Sequence, residues 1–315
     1  MAALEVRSLT KWYGSVRGVE DVTFTVEPGE IFGYLGPNGS GKTTTIRCIM
    51  GLLRPTRGQT RVLGRRVVAG RAIEHARIGY LPGEFHIWPF PRARRSLSVL
   101  AALGGGDRAK ARRQELAERL DLDLRRRVGA LSKGNRQKVG ILYAFQHQPD
   151  VLILDEPTSG LDPLMRQVVL DLIREAADAG ATVLLSSHDL SEMSAVCGRA
   201  AVMREGRLVE MAPISNIVQS GEHRLKVWFV DSRLLPTVPC ETLPAVRVVE
   251  QGPGMLHLAY HGQVDPVLNW LSQFAIDRIT TPQTSLQEAF IQYYQKRSGP
   301  ATEAGRDVTS SGGGS

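Results

Sequence analysis

The sequence predicts an α/β protein built on a parallel sheet, followed by a smaller α+β domain. Three observations carry this. Between Gly29 and Leu53 an apolar run, a glycine-rich loop and a helical pattern follow one another. Two more apolar runs, Val151–Leu154 and Val183–Leu185, lack polar alternation, as strands covered on both faces do. After Ser220 the pattern changes: Leu225, Val227 and Phe229 interleave with Lys226 and Trp228, the signature of a half-buried strand.

The first element is a strand over Ile31–Leu35. The loop Gly36-Pro37-Asn38-Gly39-Ser40-Gly41-Lys42-Thr43-Thr44 follows, fitting G-x-x-x-x-G-K-[ST]. From Lys42 the spacing turns helical, with Ile46, Ile49 and Met50 on one face. Glycines let such a loop curl so that successive N–H groups face phosphate oxygens, and the helix N-terminus adds partial positive charge. Lys42 reaches the terminal phosphates, and the Thr43 hydroxyl is an oxygen ligand for Mg²⁺. This motif alone indicates a nucleoside triphosphate.

The second element is VLILDEPTSGLD, Val151–Asp162. Its apolar strand ends at Asp155 and Glu156. In an open parallel sheet, ligands bind beyond the carboxyl ends of the strands, so this strand end and the phosphate loop should converge. Asp155 is read as a Mg²⁺ ligand, direct or through water, and Glu156 as the general base for the attacking water. ATVLLSSHDL, Ala181–Leu190, repeats the pattern and sets His188 beyond a third strand end, at the γ-phosphate and the attacking water.

These residues, in this order, resemble the ATP-binding subunits of ABC transporters. The deciding stretch is LSKGNRQKV, Leu131–Val139, which resembles that family's LSGGQ signature. Ser132 and Gly134 match it, and Lys133 and Asn135 depart from it. The resemblance covers residues 1–218. It implies a RecA-like P-loop core, an antiparallel β portion near the N-terminus and a helical subdomain over about 85–150. It also implies two ATPase subunits paired head to tail with ATP between them, Ser132 and Gly134 of one closing over the ATP of the other. Ser159–Asp162 resembles the loop that crosses that interface. Tyr13 matches the aromatic that stacks on adenine, with the adjacent Trp12 as its competitor.

At YLPGEF, Tyr80–Phe85, the family usually carries a glutamine where this chain has Gly83. That glutamine links the Mg²⁺ site to the transport subunit. Either Glu84 swings in as a metal ligand, or a water fills the gap. Because Lys42, Thr43, Asp155, Glu156 and His188 are all present, a competent ATPase is expected, with coupling altered at this loop.

Composition bounds the remaining readings. The chain has 315 residues, 42% hydrophobic and 23% charged, as an ordinary globular protein does. It shows no apolar run of the ~18–20 residues that span a bilayer and no secretory signal. Its three cysteines, Cys48, Cys197 and Cys240, have neither metal-ligand nor disulfide spacing, and read as buried reduced thiols. The net charge is +7, yet Arg92–Lys138 alone holds fourteen Lys/Arg against five Asp/Glu, or +9, leaving −2 for the rest. This basic segment is either a solvated helical face or a surface for the transmembrane partner and anionic headgroups. HIWPF, His86–Phe90, is either a core patch or an exposed contact for that partner.

The second domain, 219–298, has strands at Val246–Val249 and Met255–Tyr260. A helix follows from Asp265 to Phe274, with Asp265 as N-cap and Pro266 in its first turn. Ser285–Glu288 reads as a capping box before a last helix with Phe290, Tyr293 and Tyr294. SLQEAFIQYY resembles the C-terminal segment of ATPase subunits of ABC-2-type exporters, which include drug- and antibiotic-efflux systems. An accessory, dimerising or regulatory role is expected of this domain. Residues 299–315 read as a disordered tail ending in an appended GGGS linker.

The function these readings converge on is an ATPase at the cytoplasmic face of a membrane. It would drive export of a drug or hydrophobic small molecule through a separate permease, with ATP and Mg²⁺ bound and a second ATPase subunit as partner. A soluble ABC-type ATPase acting on nucleic acid or the ribosome is the alternative. Such proteins carry tandem cassettes, long coiled-coil arms or zinc modules, and none is present in this sequence, so no nucleic acid partner is expected. A binding-only regulator is the third reading, and Glu156 argues against it.

Overall fold

The computed structural model describes residues 1–70, 77–86, 89–102, 108–220, 223–233, 236–239, 242–260 and 262–281. These fall into two compact units, divided between Val218 and Gln219.

In the first unit, strands β1 (Leu4–Tyr13) and β2 (Val16–Val26) precede β3 (Ile31–Leu35) and helix α1 (Lys42–Ile49). Strands β4 (Arg57–Val62), β5 (Arg65–Arg66) and β6 (Ile78–Leu81) lead to helices α2 (Ala93–Ala102), α3 (Arg108–Arg119) and α4 (Lys133–Phe145). Then come β7 (Val151–Asp155), α5 (Pro163–Asp178), β8 (Thr182–Ser187), α6 (Leu190–Val196), β9 (Arg199–Arg204) and β10 (Arg207–Pro213), and helix α7 (Ile214–Ser220) runs across the division at 218.

Two sheets form. An antiparallel one has the order β2-β1-β4-β5, and a six-stranded one runs β10-β9-β3-β8-β7-β6. All pairs of the larger sheet are parallel except β10 with β9. Every residue of β7 and β8 is buried, which explains their unbroken apolar runs. Leu4, Val6 and Phe24 of the antiparallel sheet share one core with Ile46 and Ile49 of α1 and with Phe32, Tyr34, Ile153 and Leu184 of the parallel sheet. Within it the Phe24 and Phe32 rings stack at 5.4 Å.

Strand register positions the site. Leu35 pairs with Ser187, and Asp155 pairs with Ser186. Residues 36, 156 and 188 therefore leave the sheet together at the carboxyl edge, where such sheets bind ligands. The region expected to be helical holds α2–α4 and a 3₁₀ turn at Val128–Ala130.

Cys48 and Cys197 are buried and free. Burial pushes their thiols up, to about 11 and about 12, so neither is a ready nucleophile. Cys240 lies outside the described residues.

The second unit contains β11 (His223–Phe229), β12 (Val246–Gly252), β13 (Met255–Tyr260), α8 (Asp265–Leu271) and β14 (Ile276–Thr280). The strands form an antiparallel sheet in the order β12-β13-β11-β14. Leu225, Val227 and Phe229 point into a core with Leu256, Leu258, Trp270 and Leu271. Helix α8 differs from expectation at both ends. Its N-cap is Val264 with no side-chain cap, so Asp265 lies inside the first turn, where its charge faces the positive end of the helix. It ends at Leu271, and Phe274 instead folds edge-on against Trp270 at 5.6 Å. The capping box at Ser285 and the last helix lie outside the described residues.

Candidate active site

The phosphate loop joins β3 to α1. Gly41 caps α1 at φ +100°, and no side chain caps the helix. That conformation suits glycine, and a Cβ there would meet Val19 Cγ1 at 2.5 Å. The donors of the first turn are thus left for an anion. At Gly36 a Cβ would meet Met203 O and Ser40 Oγ, each at 2.6 Å. The Ser40 hydroxyl is buried and has no hydrogen-bond partner, so the loop offers an acceptor-type ligand an unsatisfied buried donor.

Lys42 is buried, and its Nζ donates to the carbonyls of Gly36 (2.5 Å) and Pro37 (3.2 Å). It also lies 3.2 Å from Glu156 Oε1. That oxygen has no hydrogen-bond partner, so the contact is an ion pair off hydrogen-bonding angles. Thr43 Oγ1 donates to Asp155 Oδ2 at 2.7 Å. Ser186 Oγ donates to Asp155 Oδ1 at 2.5 Å. The fully buried Asp155 is thereby fixed at both oxygens.

Glu156 sits at φ +51°, a left-handed conformation that costs a non-glycine residue about 1–3 kcal/mol. Its N–H donates to Ser186 O at 3.1 Å, holding the turn. Its Oε2 lies 2.7 Å from His188 Nδ1. Lys42, Thr43, Asp155, Glu156 and His188 therefore form one connected constellation. Among the described residues no three His, Cys, Asp or Glu side chains make a cation cage. Thr43 and Asp155 supply oxygen donors and leave other positions to phosphate and water, which suits Mg²⁺.

Tyr13 and Trp12 are both exposed. Only Tyr13 is tied to the loop helix, with its hydroxyl 3.4 Å from Thr44 Oγ1. Gly83 packs against the Asp155 carboxylate. A Cβ there would lie 3.2 Å from Asp155 Oδ2 and 3.4 Å from its Cγ. Glu84 is exposed, and its backbone carbonyl faces His86 Nδ1 at 3.2 Å. The structure thus puts Gly83, rather than Glu84, beside Asp155. Tyr80, on the same strand end, is pushed up to about 12 by burial and by the charge of Asp155.

Ser132 caps α4, accepting from Asn135 N–H at 3.2 Å. Gly134 abuts the loop after β7, where a Cβ would meet Gly160 O at 2.9 Å. Gly134 thus packs against its own chain's 159–162 loop. Gln137 was not anticipated. Its Nε2 donates to the carbonyls of Glu156 (3.1 Å) and Pro157 (3.0 Å), fastening α4 to the catalytic turn. Ser186 was missed too; the only hint in sequence was a hydroxyl pair before the histidine.

A glycine-rich loop between strand and helix, a lysine reaching back over it and a buried aspartate paired with the loop threonine define a P-loop nucleoside triphosphatase. Residues 19–159 match the family model described as ABC transporter. Nod factor export ATP-binding protein I of Paraburkholderia xenovorans (strain LB400) is 36% identical over 224 residues, covering 70% of this chain and 73% of that one. Bacitracin transport ATP-binding protein BcrA of Bacillus licheniformis is 30% identical over 298 residues, covering 92% and 96%. A solved ATP-binding subunit of an ABC transporter superposes with TM-score 0.62 at 33% identity, over 68% of this chain and 91% of that one. The dimeric cassette MJ0796 shares the fold with TM-score 0.62 at 22% identity, over 67% and 98%. The chain belongs to the ABC transporter family, as an ATP-binding subunit.

Proposed function

We propose that this chain hydrolyses ATP to drive export of a hydrophobic small molecule through a separate transmembrane subunit, at the cytoplasmic face of the membrane. The observation that carries the hydrolytic part is the linked set Lys42–Glu156–His188, at 3.2 and 2.7 Å, beside the Thr43–Asp155 pair. The exporter part is supported by the Nod factor export relative, and the transport role also by the bacitracin transport relative. Its match spans 298 residues and so takes in residues beyond 218. Two copies paired head to tail, with Ser132 and Gly134 of each facing the other's ATP, agree with Gly134 packing on its own chain's 159–162 loop. No helix among the described residues is long and apolar enough to cross a membrane, so the path for the substrate is assigned to the partner.

Mg²⁺, held by Thr43 and through Asp155, would neutralise phosphate charge and template the displacement. The chain's own residues do the rest. Phosphate oxygens compete with Glu156 for the Lys42 ammonium, which releases the Glu156 carboxylate to accept a proton from water. His188 fixes the orientation of that carboxylate. Tyr13 offers an exposed ring to the adenine.

Backbone bonds from Ala93 to Arg126, Arg94 to Leu124, Val128 to Pro91 and Gly129 to Pro89 clip segment 89–95 to 124–130. This gathers six exposed arginines, Arg92, Arg94, Arg95, Arg125, Arg126 and Arg127, around Phe90, which is 85% exposed. We assign this face to the transmembrane subunit and the headgroups around it. The test is co-expression with the membrane protein encoded beside the gene. The wild type is expected to co-purify with it. Reversing the six arginines to glutamate should cut recovery about tenfold or more, because like charges facing across an interface cost several kcal/mol. Unchanged recovery would remove the arginines from the interface.

A further inference from the structure

The polar network behind the catalytic turn centres on a buried acid that the phosphate chemistry does not use. Glu192, in the first turn of α6, is 8% exposed. Its Oε2 accepts two hydroxyl hydrogen bonds, from Thr158 at 2.8 Å and from Ser187 at 3.0 Å. Ser187 Oγ in turn accepts the N–H of Asp189 at 2.9 Å. The other oxygen, Oε1, faces Arg166 Nη1 at 4.0 Å, and Arg166 Nε donates to Leu161 O at 3.0 Å. One carboxyl group thus bonds directly to Ser187 beside His188 and to Thr158 in the loop that follows Glu156, and reaches Asp189 through Ser187 and Leu161 through Arg166.

The connectivity has a mechanical consequence. Glu156 and His188 come from different strands, β7 and β8, and their 2.7 Å contact depends on how the two strand-end turns sit against each other. Main-chain pairing fixes the strands only as far as Asp155 and Ser186. Beyond that point, among the described residues, the turns are joined through Glu192 and through the Glu156 N–H to Ser186 bond. Buried hydroxyls on a shared acceptor, in a site closed to water, hold geometry tightly.

We propose that Glu192 is a positioning residue for ATP hydrolysis. It sets the register between the Glu156 turn, the 158–162 loop and His188, while touching neither nucleotide nor water. The proposal rests on the reading of this site as an ATPase.

The test compares the full chain with Thr158→Val, Glu192→Ala, Glu192→Gln and the Thr158→Val/Glu192→Ala double variant. Each is assayed for ATP turnover against ATP concentration and for thermal melting. Thr158→Val keeps the shape and removes one link, so it carries the test if Glu192→Ala does not fold. Thr158→Val and Glu192→Ala should each lower kcat about tenfold, with the half-saturating ATP concentration moving less than about twofold, since misplacement penalises the chemical step rather than binding. The double variant should be no worse than Glu192→Ala, because both act through one network. Glu192→Gln keeps an oxygen acceptor for both hydroxyls and should stay within about threefold of wild type.

Wild-type kcat in Thr158→Val, or losses that multiply in the double variant, would overturn the proposal while leaving the ATPase reading intact. A wild-type chain that binds ATP but does not turn it over would remove both together.

Discussion

Glu156→Gln is expected to reduce ATP turnover at least about 100-fold, since a positioned general base contributes about 10²–10⁴, while ATP still binds. The structure gives the reasons for both halves. The substitution keeps size and hydrogen-bonding capacity, so the strained turn at φ +51° and its N–H bond to Ser186 are preserved. What it removes is the proton acceptor and the negative partner of Lys42 at 3.2 Å. Without that ion pair the ammonium is no longer contested, so ATP affinity should hold or rise. Turnover measured at saturating ATP, together with binding of labelled ATP, checks both. A variant with wild-type turnover would take Glu156 out of the base role.

Gly41→Ala is expected to disable the site at the binding step. Gly41 stands at φ +100°, and an added Cβ would meet Val19 Cγ1 at 2.5 Å and Gly18 O at 2.9 Å. The first contact is with a side chain that sits in the core, and the second is with backbone. Neither can yield without moving β2 or the loop. The left-handed conformation alone costs about 1–3 kcal/mol without glycine. The loop should therefore reshape, turning its N–H groups and Lys42 away from a common phosphate. ATP affinity is expected to fall at least about tenfold, which is only about 1.4 kcal/mol. Equilibrium titration with ATP checks it, and unchanged affinity would mean the loop accommodates a side chain.

How much of this was legible in sequence follows from the range of each interaction. The phosphate loop, Asp155–Glu156 and His188 were legible because they stand beside apolar runs whose strand character is unambiguous. Parallel pairing then brings the strand ends to one edge. In the second domain β11 was legible from alternation and β12 and β13 were read as strands, whereas β14, Ile276–Thr280, was not anticipated. Glu192, Gln137 and Ser186 were not, because each has a partner, Thr158, Glu156 and Asp155 in turn, that lies 34, 19 and 31 positions away in the chain, and no local pattern marks such a contact. The start of α8 was misplaced by one residue. Asp265-Pro266 serves equally as cap and first turn or as first turn alone, and the backbone of Val264 decided it.

The loop at Gly83 is where the resemblance to the family and the geometry meet. The missing side chain would have lain 3.2 Å from Asp155 Oδ2, and Glu84 is exposed. Asp155 is nevertheless held at both oxygens by Thr43 and Ser186. The hydrolytic constellation therefore stands without a contribution from position 83, and a change there should bear on coupling rather than on chemistry.

The central claim is that this chain hydrolyses ATP despite that departure. The most direct test is steady-state release of inorganic phosphate from ATP by the full wild-type chain, co-purified with its membrane partner, with Mg²⁺ and with Mg²⁺ chelated. Turnover that requires Mg²⁺ is the result expected from the Thr43–Asp155 and Glu156–His188 pairs. ATP binding with no phosphate released in Mg²⁺ would contradict the account and leave the chain a nucleotide-gated regulator.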